Sequence, residues 1–287
     1  MTRRSLGAKL NKITGLLGRI STLKLKIIHT TKYTYDAPVS YGLQQVRLTP
    51  VSSKNQTVLD WNVALTGATK ELAFEDQYQN QTLLLQVEPG AREVSVEVSG
   101  HVETHSTYGI YGKDYGTVPL WHFRQSTPRT HAGENVHALA KQIASTDDTL
   151  SALHDLSKAI VDIVPYGEAQ TSAGTTAEQA LIAKGGVCQD HAQIFVSAAR
   201  VAGVPARYVS GYLMMNDRVD QDASHAWAEA YLDGLGWVGF DVSNGISPDE
   251  RYVRIATGLD SRDAAPLTGM RMGASTESMI VLLQVQQ

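Results

Sequence analysis

The first half of the chain alternates between apolar and polar residues. Val94, Val96 and Val98 are each separated by one polar residue, which is the period of a strand with one face in a core and the other in water. Segments 23–27 and 82–87 also have β character, and prolines and glycines between such segments indicate turns. The pattern predicts an antiparallel β-sheet or sandwich domain over residues 23–128.

Beyond residue 128 the spacing of apolar residues changes from every second residue to the spacing of a helix. Apolar residues recur at helical spacing from Leu150 to Val164, behind Asp147 and Asp148, either of which suits the start of a helix. Two further helices are predicted at 176–184 and 188–202, and three strands at 207–214, 226–232 and 236–241. Helices followed by an antiparallel sheet are typical of an α+β domain. We therefore predict a second domain over residues 129–287, closed by a strand at 277–285.

Composition excludes several classes of protein. The chain has 287 residues, a net charge of −4 and one cysteine, so no disulfide can form within it and no oxidising compartment is indicated. A nucleic-acid-binding domain usually carries a strongly basic face, and no apolar run approaches the length of a membrane-spanning helix. We expect a cytoplasmic protein that binds no nucleic acid and has no integral membrane segment; the oligomeric state is left open.

A basic tail precedes the β-rich region. Residues 1–20 contain five basic side chains and no acidic one, and the apolar residues among them fall on one face of a helical wheel, as in a helix that lies on a membrane surface. Three glycines in the same stretch disfavour a helix. The segment 1–22 is therefore either a dispensable extension or an anchoring helix.

The chemistry of the chain centres on Cys188, His225 and Asp241. A thiol attacks a carbonyl as the thiolate, and because an unperturbed cysteine has a pKa of about 8.5, a nearby base or field is needed to activate it. Gly185 and Gly186 allow a tight turn that places the sulfur at the first turn of a helix, where the dipole and unsatisfied N–H groups favour an anion. The same N–H groups suit an oxyanion.

His225 and Asp241 stand at the ends of two consecutive predicted strands. If these strands pair as a hairpin through Asp233-Gly234, the two side chains come to neighbouring positions at one edge of the sheet. The carboxylate then orients the imidazole, which acts as the base for the thiol. Nucleophile, base and orienting acid are the parts of an acyl-transfer triad.

The sequence around these residues resembles the bacterial transglutaminase-like superfamily. Four motifs in order carry the resemblance: GGVCQDHA (185–192), GVPARYVSGY (203–212), SHAWAE (224–229) and GWVGFD (236–241). Two earlier segments, IIHTTKYTY (27–35) and LQQVRLTP (43–50), look like the β-rich N-terminal region that accompanies this core in bacteria. The resemblance spans nearly everything after residue 23.

The resemblance implies a papain-like α+β core in which Cys188 is the nucleophile, His225 the base and Asp241 the orienting acid. It also implies a peptide or protein substrate. In one respect the chain departs from the family, which usually continues after its aspartate with Pro and Thr, whereas Val242 and Ser243 stand here.

Three functions remain open at this level. Superfamily members include glutamine–lysine transamidases, proteases and amidases, which share the chemistry up to a thioester. We favour hydrolysis of a peptide or amide bond, because bacterial members with this N-terminal region are commonly described as cysteine proteases and because water needs no dedicated acceptor site. Transamidation is the alternative reaction. A non-catalytic peptide-binding module is the alternative of another class.

Other polar and aromatic residues near the motifs have structural interpretations. Asp190 and His191 are interpreted as residues that cap or stabilise the helix. Arg207 and Tyr208 are interpreted as packing or ion-pairing residues, with the lining of a substrate cleft as the alternative. Trp227 and Trp237 either pack in the core or wall the site against water, and Tyr166 is a candidate oxyanion donor. His101 and His105 lie on a predicted strand without a zinc motif, and Gly185-Gly186 lacks the lysine of a phosphate-binding loop. We expect no metal and no cofactor.

Overall fold

The computed structural model of the chain describes residues 21–113, 116–167, 171–273 and 276–287. Residues 1–20, which hold nearly all of the predicted basic tail, lie outside the described residues. The strands are β1 (Thr22–Tyr35), β2 (Tyr41–Thr49), β3 (Gln56–Thr66), β4 (Ala68–Glu75), β5 (Gln81–Val87), β6 (Glu93–His105), β7 (Ile110–Gly112), β8 (Ala206–Leu213), β9 (Asp220–Gln221), β10 (His225–Leu232), β11 (Gly236–Phe240), β12 (Tyr252–Gly258), β13 (Leu267–Met272) and β14 (Glu277–Gln286). The α-helices are α1 (Glu134–Ala144), α2 (Thr149–Ile163), α3 (Ala177–Ala183) and α4 (Cys188–Val201).

The N-terminal half forms two antiparallel sheets. One has the strand order β3-β6-β1-β14-β9 and the other the order β13-β2-β5-β4. Apolar side chains from both sheets share one core, in which Val96 and Val98 of β6 meet Val46 of β2 and Leu85 of β5. The predicted alternation on β6 therefore works as expected, because its valines face inward and the residues between them face outward.

The second half packs helices on a third antiparallel sheet. This third sheet has the order β12-β8-β10-β11-β7. Helix α4 lies against β8 and β10, and α1, α2 and α3 surround it. Apolar residues of the four helices and of β10 and β11 form one buried cluster. The α+β class predicted from the sequence is confirmed.

Local signals placed several elements correctly. Asp148 caps α2, since its side chain accepts a hydrogen bond from the Ser151 N–H at 3.1 Å. Thr176 and Gln179 form a reciprocal capping box at the start of α3. Strands β10 and β11 pair as the predicted hairpin. These features depend on residues close together in sequence, so a sequence pattern is enough to find them.

The strand pairings cross the predicted domain boundary at residue 128 in both directions. The short strand β7 precedes that boundary and joins the third sheet beside β11. Strands β13 and β14 follow it and return to the sandwich, beside β2 and β1 respectively. The closing strand predicted at 277–285 is confirmed as β14. The boundary itself stays a prediction, and the two halves share strands across it.

Two amide side chains of the sandwich bind the backbone of β12. Gln56 donates to the Arg254 carbonyl and accepts from the Arg254 N–H, both at 2.8 Å. Asn80 makes the same pair of 2.8 Å bonds with Thr257. Each amide therefore takes the place of a neighbouring strand, and together they attach the edge of the third sheet to the sandwich.

A buried histidine lies at the contact between β1 and β8. His29 is 2% exposed, and its ring nitrogens lie 2.8 Å from the Tyr212 hydroxyl and 2.9 Å from the Thr31 hydroxyl. Burial lowers the pKa of His29 to about 4. The histidine is therefore neutral in the folded protein at neutral pH.

This histidine predicts acid sensitivity. Between pH 6.5 and about 4, His29 is protonated in the unfolded chain and neutral in the folded protein. The free energy of unfolding therefore decreases as pH falls through that window, by on the order of 3 kcal/mol. His29→Gln should flatten the dependence of the unfolding free energy on pH in urea titrations. His131→Gln, which replaces an exposed histidine, should leave the wild-type slope. Parallel curves for wild type and His29→Gln would contradict the assignment.

Candidate active site

Cys188 is the first residue of α4 and is half-buried. The turn before it is held by Asp190, whose Oδ2 accepts hydrogen bonds from the Val187 N–H at 2.9 Å and from the Thr171 hydroxyl at 2.6 Å. Asp190 packs so closely on Gly186 that a Cβ at that glycine would lie 2.9 Å from the aspartate side chain. The capping role predicted for Asp190 is confirmed.

The first turn of α4 presents backbone donors beside the sulfur. The N–H of Asp190 is already bonded to the Val187 carbonyl at 2.9 Å, so Cys188 and Gln189 are the residues whose N–H groups precede the intrahelical hydrogen bonds. These groups and the positive end of the helix dipole favour an anion at this point. The arrangement matches the electrostatic environment predicted for the sulfur.

His225 begins β10, and Asp241 follows the last residue of β11. Their side chains are joined by a hydrogen bond of 2.6 Å between the histidine Nε2 and the carboxylate Oδ2. His225 is 8% exposed and Asp241 1% exposed. With Nε2 on the carboxylate, Nδ1 is the other ring nitrogen and the one left for an exchange of protons with Cys188.

Electrostatics favour the imidazolium form of His225. Burial alone would lower its pKa, but a hydrogen bond to Asp241, a hydrogen bond to Cys188 and the charges of both partners outweigh burial and raise the pKa to about 10. Burial likewise acts to raise the pKa of Asp241, but the bonds and charge of His225, with Asn244 and Tyr252, hold it below its ordinary value. The structure thus brings the three predicted residues into one interacting set.

Asn244 and Tyr252 belong to the same cluster and were not found from the sequence. The Asn244 amide and the Tyr252 hydroxyl each donate to Asp241 Oδ2 at 2.7 Å. Asn244 lies three residues after Asp241 in the turn where Val242 and Ser243 replace the usual residues, so its position was the only local signal. Tyr252 comes from β12, and nothing near it in sequence points to the site.

His191 supports the site from within α4. It is fully buried, with Nδ1 2.8 Å from the Ser243 hydroxyl and Nε2 2.8 Å from the Val164 carbonyl. Burial lowers its pKa, so it stays neutral and links the helix to the turn after Asp241. Its structural interpretation is confirmed. Tyr166 is exposed, and its backbone bridges to Gly186; an oxyanion role for it stays a prediction.

Arg207 and the two tryptophans pack inside the molecule. Arg207 pairs with the fully buried Glu229 at 2.6 Å and lies 4.0 Å above the Trp237 ring. Trp227 is 1% exposed and contacts Tyr252 edge to face, with ring centroids 5.5 Å apart. The structural interpretation of Arg207 and the packing interpretation of both tryptophans are therefore confirmed.

Tyr208 shares a buried cluster with Cys188, a proximity that sequence reasoning did not indicate. It is 4% exposed, and its pKa is raised well above the ordinary value by burial first and then by the charges of Cys188 and Asp190. The phenol therefore remains protonated beside Cys188. Among the described residues, no group of three or more His, Cys, Asp or Glu side chains is placed to hold a metal ion.

Comparison with known proteins defines the family. Residues 137–242 match the transglutaminase-like superfamily, and residues 25–103 match the bacterial transglutaminase-like N-terminal region. The chain therefore combines a transglutaminase-like core with a bacterial transglutaminase-like N-terminal region. The recognition made from the motifs is confirmed.

Two mycobacterial proteins and one solved structure are similar over nearly the whole chain. The uncharacterized protein ML0607 of Mycobacterium leprae is 27% identical over 91% of this chain and 98% of its own length. The uncharacterized protein Rv2569c of Mycobacterium tuberculosis is 26% identical over 90% of this chain and 91% of its own length. A crystal structure of a "Putative Cysteine Protease" from Cytophaga hutchinsonii aligns with a TM-score of 0.74 and 21% identity, over 93% and 92%. The predicted fold, a β-rich region followed by a papain-like core, is confirmed.

The contact between Gly186 and Asp190 predicts the effect of a single methyl group. In Gly186→Ala the new Cβ meets the Asp190 side chain at 2.9 Å, which displaces the turn that caps α4 and costs about 1 to 3 kcal/mol of stability. Alkylation of Cys188 should slow with it. Gly174→Ala is the matched control, because its Cβ meets nothing closer than 3.7 Å. Equal rates and equal urea midpoints for the two variants would disprove the steric account.

Proposed function

We propose that this protein is a cysteine-dependent acyl-transfer enzyme that hydrolyses a peptide or amide bond through a thioester on Cys188. The observation that carries the proposal is His225, which is hydrogen-bonded to Asp241 at 2.6 Å and interacts with Cys188 at the start of α4. Thiol, imidazole and carboxylate in this order are the parts that nucleophilic acyl transfer requires.

The first half of the reaction forms the thioester. The Cys188 thiolate attacks the carbonyl carbon, and a C–S bond forms while the carbonyl π electrons move to oxygen. The backbone N–H groups of the first turn of α4 stabilise that oxyanion. As the intermediate collapses, the C–N bond breaks, and the imidazolium of His225 gives its proton to the leaving amine. Asp241 holds the imidazole in the tautomer that this exchange needs.

The second half returns the enzyme to its starting state. His225, now neutral, removes a proton from water as the water oxygen attacks the thioester carbonyl. The C–S bond breaks, the carboxylic acid product leaves, and the thiolate–imidazolium pair is restored. If an amine attacks in place of water, the same steps produce a new amide, which is transamidation. Hydrolysis is the proposal of choice, because water needs no acceptor site and the similar solved structure carries a protease name.

The three-residue set also argues against a binding module. A domain that only binds peptides has no need for a buried carboxylate that raises the pKa of a histidine beside a thiol. A peptide or protein is the proposed substrate. No helix in the described part of the chain has the length and hydropathy to cross a membrane, and the cytoplasmic location stays a prediction.

Labelling of the only cysteine tests the proposal without a known substrate. Iodoacetamide at pH 6 should add once to wild type and not to Cys188→Ala, as read by intact-protein mass spectrometry. The rate should fall by at least about tenfold in His225→Ala, because the imidazolium that supports the thiolate is gone. His137→Ala, at an exposed position, should label like wild type. A slow rate indifferent to His225 would reject the enzyme and favour the binding module.

A peptide screen separates the two reactions. Peptides containing glutamine are incubated with wild type and with Cys188→Ala, each with and without a primary amine, and the products are weighed by mass spectrometry. We expect cleaved or deamidated product in both wild-type samples. Amine incorporation that replaces hydrolysis would overturn the choice of hydrolysis and favour transamidation.

A further inference from the structure

The two oxygens of the Asp241 carboxylate accept different numbers of hydrogen bonds. Its Oδ2 accepts from His225 at 2.6 Å and from Asn244 and Tyr252 at 2.7 Å each. Its Oδ1 accepts a longer bond of 3.2 Å from the Asn244 backbone N–H. The three donors to Oδ2 come from β10, from the turn after β11 and from β12. Rotation of the carboxylate would break bonds to all three at once.

Tyr252 is built into the core as a permanent donor. It is 1% exposed, and its ring packs edge to face on Trp227. Burial, together with the charge and hydrogen bond of Asp241, raises its pKa far above the ordinary value. A neutral phenol facing a carboxylate donates a hydrogen bond to it through its O–H group. Because the phenol keeps its proton, its hydroxyl stabilises the ionised form of Asp241.

We propose that Tyr252 and Asn244 are positioning residues that hold Asp241 ionised and aimed at His225, and so set the lowest pH at which Cys188 remains activated. This inference rests on the proposed function. A carboxylate that accepts several hydrogen bonds keeps its charge to lower pH. When a donor is removed, Asp241 takes up a proton at higher pH, and the imidazolium loses the partner that stabilises it.

Other ionisable groups around the cluster do not replace these donors. His191 of α4 feels the charge of Asp241, but burial lowers its pKa and its nitrogens are bonded elsewhere. Asp249 and Arg251 precede Tyr252 in the chain and pair with each other at 2.7 Å, and the charge of Glu250 acts on Arg251. Cys188 approaches the imidazole rather than the carboxylate. Tyr252 and Asn244 are therefore, with His225, the side chains that donate to Asp241.

The experiment is the rate of Cys188 alkylation by iodoacetamide from pH 3.5 to 8, measured for wild type, Tyr252→Phe and Asn244→Ala. We expect the acid midpoint of the profile to move upward by about one pH unit in Tyr252→Phe and in the same direction in Asn244→Ala. Tyr78→Phe is the matched control, since it removes a phenol that donates to another carboxylate, that of Asp263, at 3.1 Å.

The outcomes separate this inference from the proposed function. If wild type is labelled slowly and His225→Ala is labelled at the same rate, the proposed function and the inference are both overturned. Activated wild-type labelling with a Tyr252→Phe midpoint equal to that of wild type and Tyr78→Phe overturns the inference alone. Circular dichroism at each pH shows whether a variant is folded. If Tyr252→Phe does not fold, Asn244→Ala decides, because Asn244 is exposed and an unchanged midpoint there overturns the inference equally.

Discussion

Helix α4 is buried along almost its whole length, and the polar groups at its two ends determine where Cys188 stands. At the far end, the Arg200 guanidinium donates to the carbonyls of Phe123, Ala206 and Leu259 at 2.7 to 3.0 Å. At the near end, Asp190 holds the turn that precedes the helix. Buried polar groups are tolerated only when they are bonded, so sliding α4 by one turn would break both sets of bonds. The sulfur is thereby kept in register with the third sheet, which carries His225.

The sandwich contributes to the site through β12. Gln56 and Asn80 bind the backbone of this strand at Arg254 and Thr257, and Tyr252 at its start reaches Asp241. The chain then returns to the sandwich in β13 and β14. The N-terminal region is therefore part of the framework that holds the carboxylate. This connection gives a physical reason why the N-terminal region and the core occur in one chain.

Several parts of the site could be predicted because they depend on neighbours in sequence. Gly185 and Gly186 before Cys188 indicate a turn into a helix, and Asp233-Gly234 between two β segments indicates a hairpin. The turn places Cys188 at the start of the helix, and the hairpin brings His225 and Asp241 to one edge of the sheet. Tyr252 and Asn244 could not be found this way, because a tyrosine at the start of a strand and an asparagine in a turn are common and their contact with Asp241 is made only when β12 takes its place.

The sequence by itself determined the α+β class, the spacing of apolar residues in each half of the chain and the helix that begins at Cys188. It also determined the set of residues with the chemistry for acyl transfer. Only the tertiary structure decided that β7 joins the third sheet, that β13 and β14 return to the sandwich, and that one oxygen of Asp241 accepts hydrogen bonds from three donors. Local patterns report which face of an element is buried. They do not report which distant element covers that face, because that choice depends on the packing of the whole chain.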